Sequence, residues 1–97
     1  MIRSFRDKRT EALGSGDSPK GVPRDVARRA VVKFFLLDTV TRLEDLRVPP
    51  GNRLEALSGN RAGQHSIRVN DQRRLCFVWR DGDAYEVEFV DYHQEDS

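Results

Sequence analysis

Apolar residues recur with two different periods along this chain, and the change of period separates a helical half from a strand-rich half. Pro23 suits the first turn of a helix, where its missing N–H leaves no bond unmade. After it, Val26, Ala27, Ala30, Val31, Phe34 and Leu37 recur at three- and four-residue spacing, which predicts a helix with one buried stripe. Arg24, Arg28, Arg29 and Lys33 occupy its other sides. Upstream, residues 1–5 read as a short strand, the polar run 6–13 as a short helix, and the glycine-rich segment 14–21 as a loop. Thr41-Arg42-Leu43-Glu44 has the form of a capping box and predicts a second short helix from about Thr41, which Pro49-Pro50-Gly51 must end. Beyond that break the period falls to two, and strands are expected over 53–57, 64–69, 73–79 and 84–92.

Register follows from which face must be dry. A two-residue hairpin at Asp81-Gly82 would set Phe77 against Glu86 and Leu75 against Glu88. A three-residue loop, Asp81-Gly82-Asp83, sets Trp79 against Tyr85, Phe77 against Val87 and Leu75 against Phe89, so the hydrophobic pattern selects it. Across Asn70-Asp71-Gln72 the same logic pairs Ile67 with Leu75 and His65 with Phe77. Odd-numbered positions therefore face the helices, with His65 as packing. The even-numbered face carries Arg68, Arg74, Cys76, Val78, Glu86, Glu88 and Tyr92, and is too charged to be a second core. The fold class expected is α+β, one domain over 1–97. N-terminal helices pack on one face of a twisted, mainly antiparallel sheet of four to five strands, and the other face is open and partly basic.

Composition narrows the function classes. The longest apolar run, Phe34-Phe35-Leu36-Leu37, is far too short to span a bilayer, and residues 1–5 lack the apolar region of a secretory signal. With Cys76 as the single cysteine, no disulfide can close within the chain, and a reducing, cytoplasmic setting fits. One cysteine and two distant histidines give no metal-ligand spacing, so no metal or other cofactor is expected. The net charge of +1 conceals a gradient: residues 1–80 hold all 17 Lys and Arg with nine acids, and residues 81–97 hold seven acids and no Lys or Arg. A basic body of this kind suits phosphate-bearing partners, although a solvated surface with an acidic tail has the same composition.

Candidate chemistry concentrates at the end of the last strand, in Asp91-Tyr92-His93. RNA cleavage by the neighbouring 2′-hydroxyl needs a group to take the 2′ proton, a cation at the phosphorane and a proton for the 5′-oxygen. His93 is suited to proton transfer near neutral pH, Tyr92 to hydrogen bonding or stacking on a base, and Asp91 to orienting a neighbour. Arg74 and Arg68 share the face of Tyr92 and could hold the scissile phosphate; they could equally pair with Glu86 and Glu88. Asp91 could instead form a salt bridge with Arg73, its expected cross-strand partner. Asp91 and His93 have the parity of the helix-packed face, so a twist or bulge at the strand end is needed to bring them to Tyr92.

Taken together, these residues resemble the HigB branch of the RelE-like toxins of bacterial toxin–antitoxin systems. The resemblance runs from Met1-Ile2-Arg3-Ser4-Phe5 to Val90-Asp91-Tyr92-His93. It is strongest over Arg53-Leu54-Glu55-Ala56-Leu57-Ser58-Gly59, His65-Ser66-Ile67-Arg68-Val69-Asn70 and Arg73-Arg74-Leu75-Cys76-Phe77, and the stretch 49–69 looks like the GraT subgroup. The resemblance implies a compact α+β fold and a ribosome-dependent, metal-independent mRNA endonuclease acting in the A site. It also implies a helix-turn-helix, HigA-like antitoxin from the same operon, with operator DNA bound only through the toxin–antitoxin complex. The family's terminal Asp, Tyr and His fall on Asp91, Tyr92 and His93, and its middle-strand arginine on Arg74. Arg68, Arg73 and Glu55 are the further substrate-binding candidates. Some members carry a histidine and a lysine where this chain has Glu55 and Ser58, which implies a slower enzyme. Two non-catalytic readings stand beside it: growth inhibition by occupying RNA or the ribosome, and service mainly as an antitoxin's partner in repression of the operon. The basic residues Arg24, Arg28 and Arg29 are candidates for contact with rRNA or an acidic protein patch.

Overall fold

A computed structural model describes residues 1–91 of the chain. Helix α1 (Lys8–Gly14) begins where Asp7 accepts a hydrogen bond from the Thr10 N–H at 2.7 Å, satisfying one of the donors a helix start leaves open. Helix α2 (Arg24–Thr39) follows Pro23 directly and buries Val26, Ala27, Ala30, Phe34 and Leu37. Val31 departs from the expected stripe and is 37% exposed, because it lies at the border between the buried face and the adjoining one. The capping-box helix is not formed. Residues Leu43–Arg47 make a 3₁₀ helix with no side-chain cap, since Pro49 lies too close to let an α-helix extend.

Strands β1 (Glu55–Ala56), β2 (His65–Arg68), β3 (Arg73–Arg80) and β4 (Asp83–Asp91) form an antiparallel sheet in that spatial order. Ile2 and Phe5 add parallel bridges along the outer edge of β4, at Ala84 and Val87. The β2–β3 register is the expected one, with Ile67 opposite Leu75 and His65 opposite Phe77.

The β3–β4 hairpin corrects the expected loop. Asp81 and Gly82 both have positive φ, at 53° and 84°, and make a two-residue turn with Arg80 opposite Asp83 and Trp79 opposite Ala84. The inner register is nevertheless the one the hydrophobic pattern demands, with Leu75 opposite Phe89. A β-bulge between Cys76 and Val78 reconciles the two: Glu86, at φ 51°, is the extra residue that shifts β4 by one position. The N-terminal segment holds this bulge, because the Glu86 N–H donates to the Ser4 hydroxyl at 2.8 Å and the Val87 N–H to the Ser4 carbonyl at 3.1 Å. Farther along the same edge the buried Thr10 hydroxyl accepts the Phe89 N–H at 3.0 Å.

Both helices cover the face that carries Ile67, Leu75, Phe77, Val87 and Phe89, all buried. Asn52, fully buried, ties the crossing segment to α2: it accepts from Lys33 Nζ at 2.5 Å and donates to the carbonyls of Leu46 and Val48. Burial holds the Lys33 ammonium below its ordinary pKa, and Arg29 nearby adds to the effect. The opposite face is less open than its charges suggest, since Ser66, Arg74, Cys76 and Val90 are all buried in its centre.

Candidate active site on the polar face of the sheet

Pairing places the polar-face residues in two rows across the strands. Glu55, Ser66, Cys76 and Glu88 are successive cross-strand partners, and Arg68, Arg74 and Val90 form the row beside them. Arg74 lies at the centre, 8% exposed. Its Nε donates to Ser66 Oγ at 2.7 Å, one terminal nitrogen donates to the carbonyls of Ser66 and Arg53, and the same nitrogen lies 3.8 Å from a Glu55 carboxylate oxygen. Arg53 presents that carbonyl from a left-handed backbone conformation, φ 46°. A guanidinium fixed along several directions is a pre-oriented cation, the form in which charge stabilises a transition state without reorganising first.

Arg68 stands directly across from Arg74, and its guanidinium is bound to the Asp71 carboxylate at the β2–β3 turn. Two like charges at one cross-strand pair repel unless anions separate them. Glu55 beside Arg74 and Asp71 beside Arg68 supply those anions, and a phosphate has the charge to bridge the same pair.

The structure brings Arg74, Arg68 and Glu55 together and leaves Arg73 and Asp91 on the other side. Those two face each other in register on the helix-packed face, with Arg73 Nε buried and lacking a hydrogen-bond partner among the described residues. The bulge that could have altered this parity sits at the hairpin end of β4, so Asp91 keeps its original side. Tyr92 and His93 lie outside the described residues. His65 packs as expected, with its ring stacked on Phe77 at 6.3 Å.

Sequence reasoning missed a second part of this face. A cleft of about 650 Å³ is lined by Arg6, Leu57, Ser58, Asn60, Arg61, Gln64 and Glu88. Arg61 enters it from the 3₁₀ turn Gly59–Arg61 and binds Glu88 at 3.0 Å and Gln64 at 3.2 Å. Arg6 reaches Glu86 at 3.4 Å from the opposite border. The carboxylates Glu86 and Glu88 are thus taken by Arg6 and Arg61 and not by Arg68 and Arg74. Only the unusual density of polar residues over 58–64 hinted at this in the sequence. Among the described residues no group of His, Cys, Asp or Glu could hold a metal ion, and no helix is long and apolar enough to cross a membrane.

Comparison with known proteins identifies the family of the chain. Over its full length the chain is similar to Toxin HigB-1 of Vibrio cholerae serotype O1, with 40% identity over 95 residues, covering 97% of this chain and 99% of that one. It is 33% identical over 93 residues to Endoribonuclease HigB of Proteus vulgaris, covering 96% and 100% of the two chains. In fold it is similar to a chain of the YoeB-YefM complex from Staphylococcus aureus, with a TM-score of 0.50 at 12% identity, covering 93% of this chain and 98% of that one. The family model for the HigB RelE-like toxin of type II toxin–antitoxin systems matches residues 3–93. The chain therefore belongs to the HigB-like family of RelE-like toxins.

Proposed function

We propose that this protein is a toxin that cleaves mRNA in the ribosomal A site and is held inactive by a helix-turn-helix antitoxin of the HigA type from its own operon. The observation that carries this reading is Arg74, clamped beside Glu55 and opposite Arg68 on a polar sheet face. Full-length similarity to a relative named as an endoribonuclease supports it.

In this reading Arg74 and Arg68 hold the scissile phosphate. The 2′-hydroxyl attacks phosphorus and gives up its proton to Glu55 or His93. The phosphorane's charge is stabilised by Arg74, and the 5′-oxygen leaves with a proton from His93. Tyr92 positions the substrate, while Arg73 and Asp91, paired on the helix-packed side of the sheet, are left out of the step. No metal takes part, and the products are a 2′,3′-cyclic phosphate or its 3′-phosphate and a free 5′-hydroxyl. Operator DNA is met only through the antitoxin complex, and the protein works in the bacterial cytoplasm.

End-group analysis of mRNA incubated with purified protein and programmed ribosomes tests the chemistry. Cyclic or 3′-phosphate termini at A-site codons are expected, and His93→Ala should eliminate them. Termini with 3′-hydroxyls would replace this mechanism with a hydrolytic one, and growth inhibition unaffected by His93→Ala would favour occupancy without cleavage.

A further inference from the structure

Helix α2 carries two stripes. One is buried against the sheet. The other consists of Arg24, Arg28, Val31, Phe35 and Asp38, separated by steps of four, three, four and three residues. At about 100° per residue these five positions fall within roughly 80° of one another, the spacing of a helix–helix seam. All five are exposed, Phe35 at 70%, although an aromatic ring in that position gains nothing from water. Neither arginine has an ion pair among the described residues, and the Asp38 carboxylate accepts the Ile2 N–H at 2.8 Å through one oxygen, Oδ1.

The charges on this stripe have a particular order: basic at its start, apolar in the middle, acidic at its end. Val31 sits midway, with Arg24 seven positions before it and Asp38 seven after. Reversing the stripe about Val31 therefore sets Arg24 against Asp38 at both ends. That is the self-complementarity required of a two-fold, isologous contact. The surface has matching relief, because two hollows of about 430 and 300 Å³ share Val31 as a wall. The smaller one is floored by Gly16, Ser18 and Ala27 beside the two arginines. The larger one reaches from Phe5 to Asp38.

We propose that this stripe is the contact face for a second copy of the chain, with two α2 helices packed antiparallel about Val31. Phe35 of each copy enters the small-residue hollow beside the other's Arg28, and each Arg24 pairs with the other's Asp38. The contact lies on the helix side of the sheet, so both polar faces stay open to RNA. The proposal does not depend on the catalytic reading. With two apolar side chains per copy at its centre, the contact is a weak, concentration-dependent one.

Sedimentation equilibrium of the full chain across a concentration series tests it. The apparent mass should rise from 11.2 kDa toward twice that value. Phe35→Glu and Asp38→Arg should each weaken the association by about tenfold or more, and the paired swap Arg24→Asp with Asp38→Arg should restore it. Circular dichroism of each variant confirms that the fold persists. A wild type that stays monomeric to about 1 mM would overturn the proposal. So would self-association that Asp38→Arg leaves unchanged. Loss of a co-expressed antitoxin in Asp38→Arg, with a monomeric wild type, would assign the face to that different chain.

Discussion

On the helix side of the sheet, Leu75, Phe77 and Val87 are buried among apolar neighbours; on the opposite side, Ser66, Arg74 and Cys76 are buried nearly as deeply around a guanidinium. The first arrangement is what folding alone favours, because apolar burial is non-directional and tolerates many side-chain sets. The second needs directed hydrogen bonds from the guanidinium to Ser66 and to the Arg53 carbonyl to offset desolvation of a cation. A buried, bonded cation adds little net stability compared with an apolar residue of similar size. Its presence beside Arg68 and Glu55 is the feature on which the proposed cleavage site rests.

Truncations on the two faces should therefore separate stability from activity. Phe77→Ala, at a fully buried ring, is expected to cost about 3–5 kcal/mol in urea denaturation, a large part of what a chain of this size has. Arg74→Met is expected to cost less, about 1–2 kcal/mol, because it strands the Ser66 hydroxyl and the Arg53 carbonyl while Glu55 remains half in solvent. Its cleavage activity should nevertheless disappear. A larger stability loss for Arg74→Met than for Phe77→Ala would remove the contrast between the faces.

Much of the helix-side face was legible in the sequence, and little of the polar side was. The β2–β3 register followed from Ile67 and Leu75 because a slip by one residue would have wetted both. The hairpin resisted the same logic because two local preferences conflicted. Asp81-Gly82 favours a two-residue turn, the inner apolar pairs require a different register, and the bulge that satisfies both is held by Ser4, about eighty residues away in sequence. Val31 fits the buried stripe by spacing yet is exposed, because three- and four-residue spacing cannot distinguish the centre of a stripe from its border. Arg61 carried no signal beyond the polar density of its segment: it lies in an aperiodic loop, and its partner Glu88 is 27 residues distant. The Arg74–Glu55 approach is likewise a product of sheet order, not of local spacing.

Smaller effects probe how the bulge and the chain's start support β4. Glu86→Gly removes the strain of an L-residue at φ 51° and should stabilise the protein by about 0.5–1 kcal/mol in thermal melts. Destabilisation would mean that the Arg6 contact outweighs backbone strain. Asp83 is held below the ordinary aspartate range chiefly by its hydrogen bond from Arg3, with the N-terminal ammonium adding to it. Because the folded-state value is the depressed one, this contribution is present above the unfolded pKa and is lost as pH falls through the folded one. Asp83→Asn should flatten that acid limb of the melting curve; an unchanged limb would assign it to other carboxylates.

Mapping of mRNA 5′ ends after induction, with wild type, Arg74→Lys and His93→Ala compared in parallel, tests the functional claim most directly. New ends inside translated frames are expected for the wild type. They should be absent in His93→Ala and sharply reduced in Arg74→Lys, which keeps the charge but loses the fork that Ser66 and Arg53 orient. Wild-type ends reproduced in full by both variants would contradict the assignment of this face as the cleavage site.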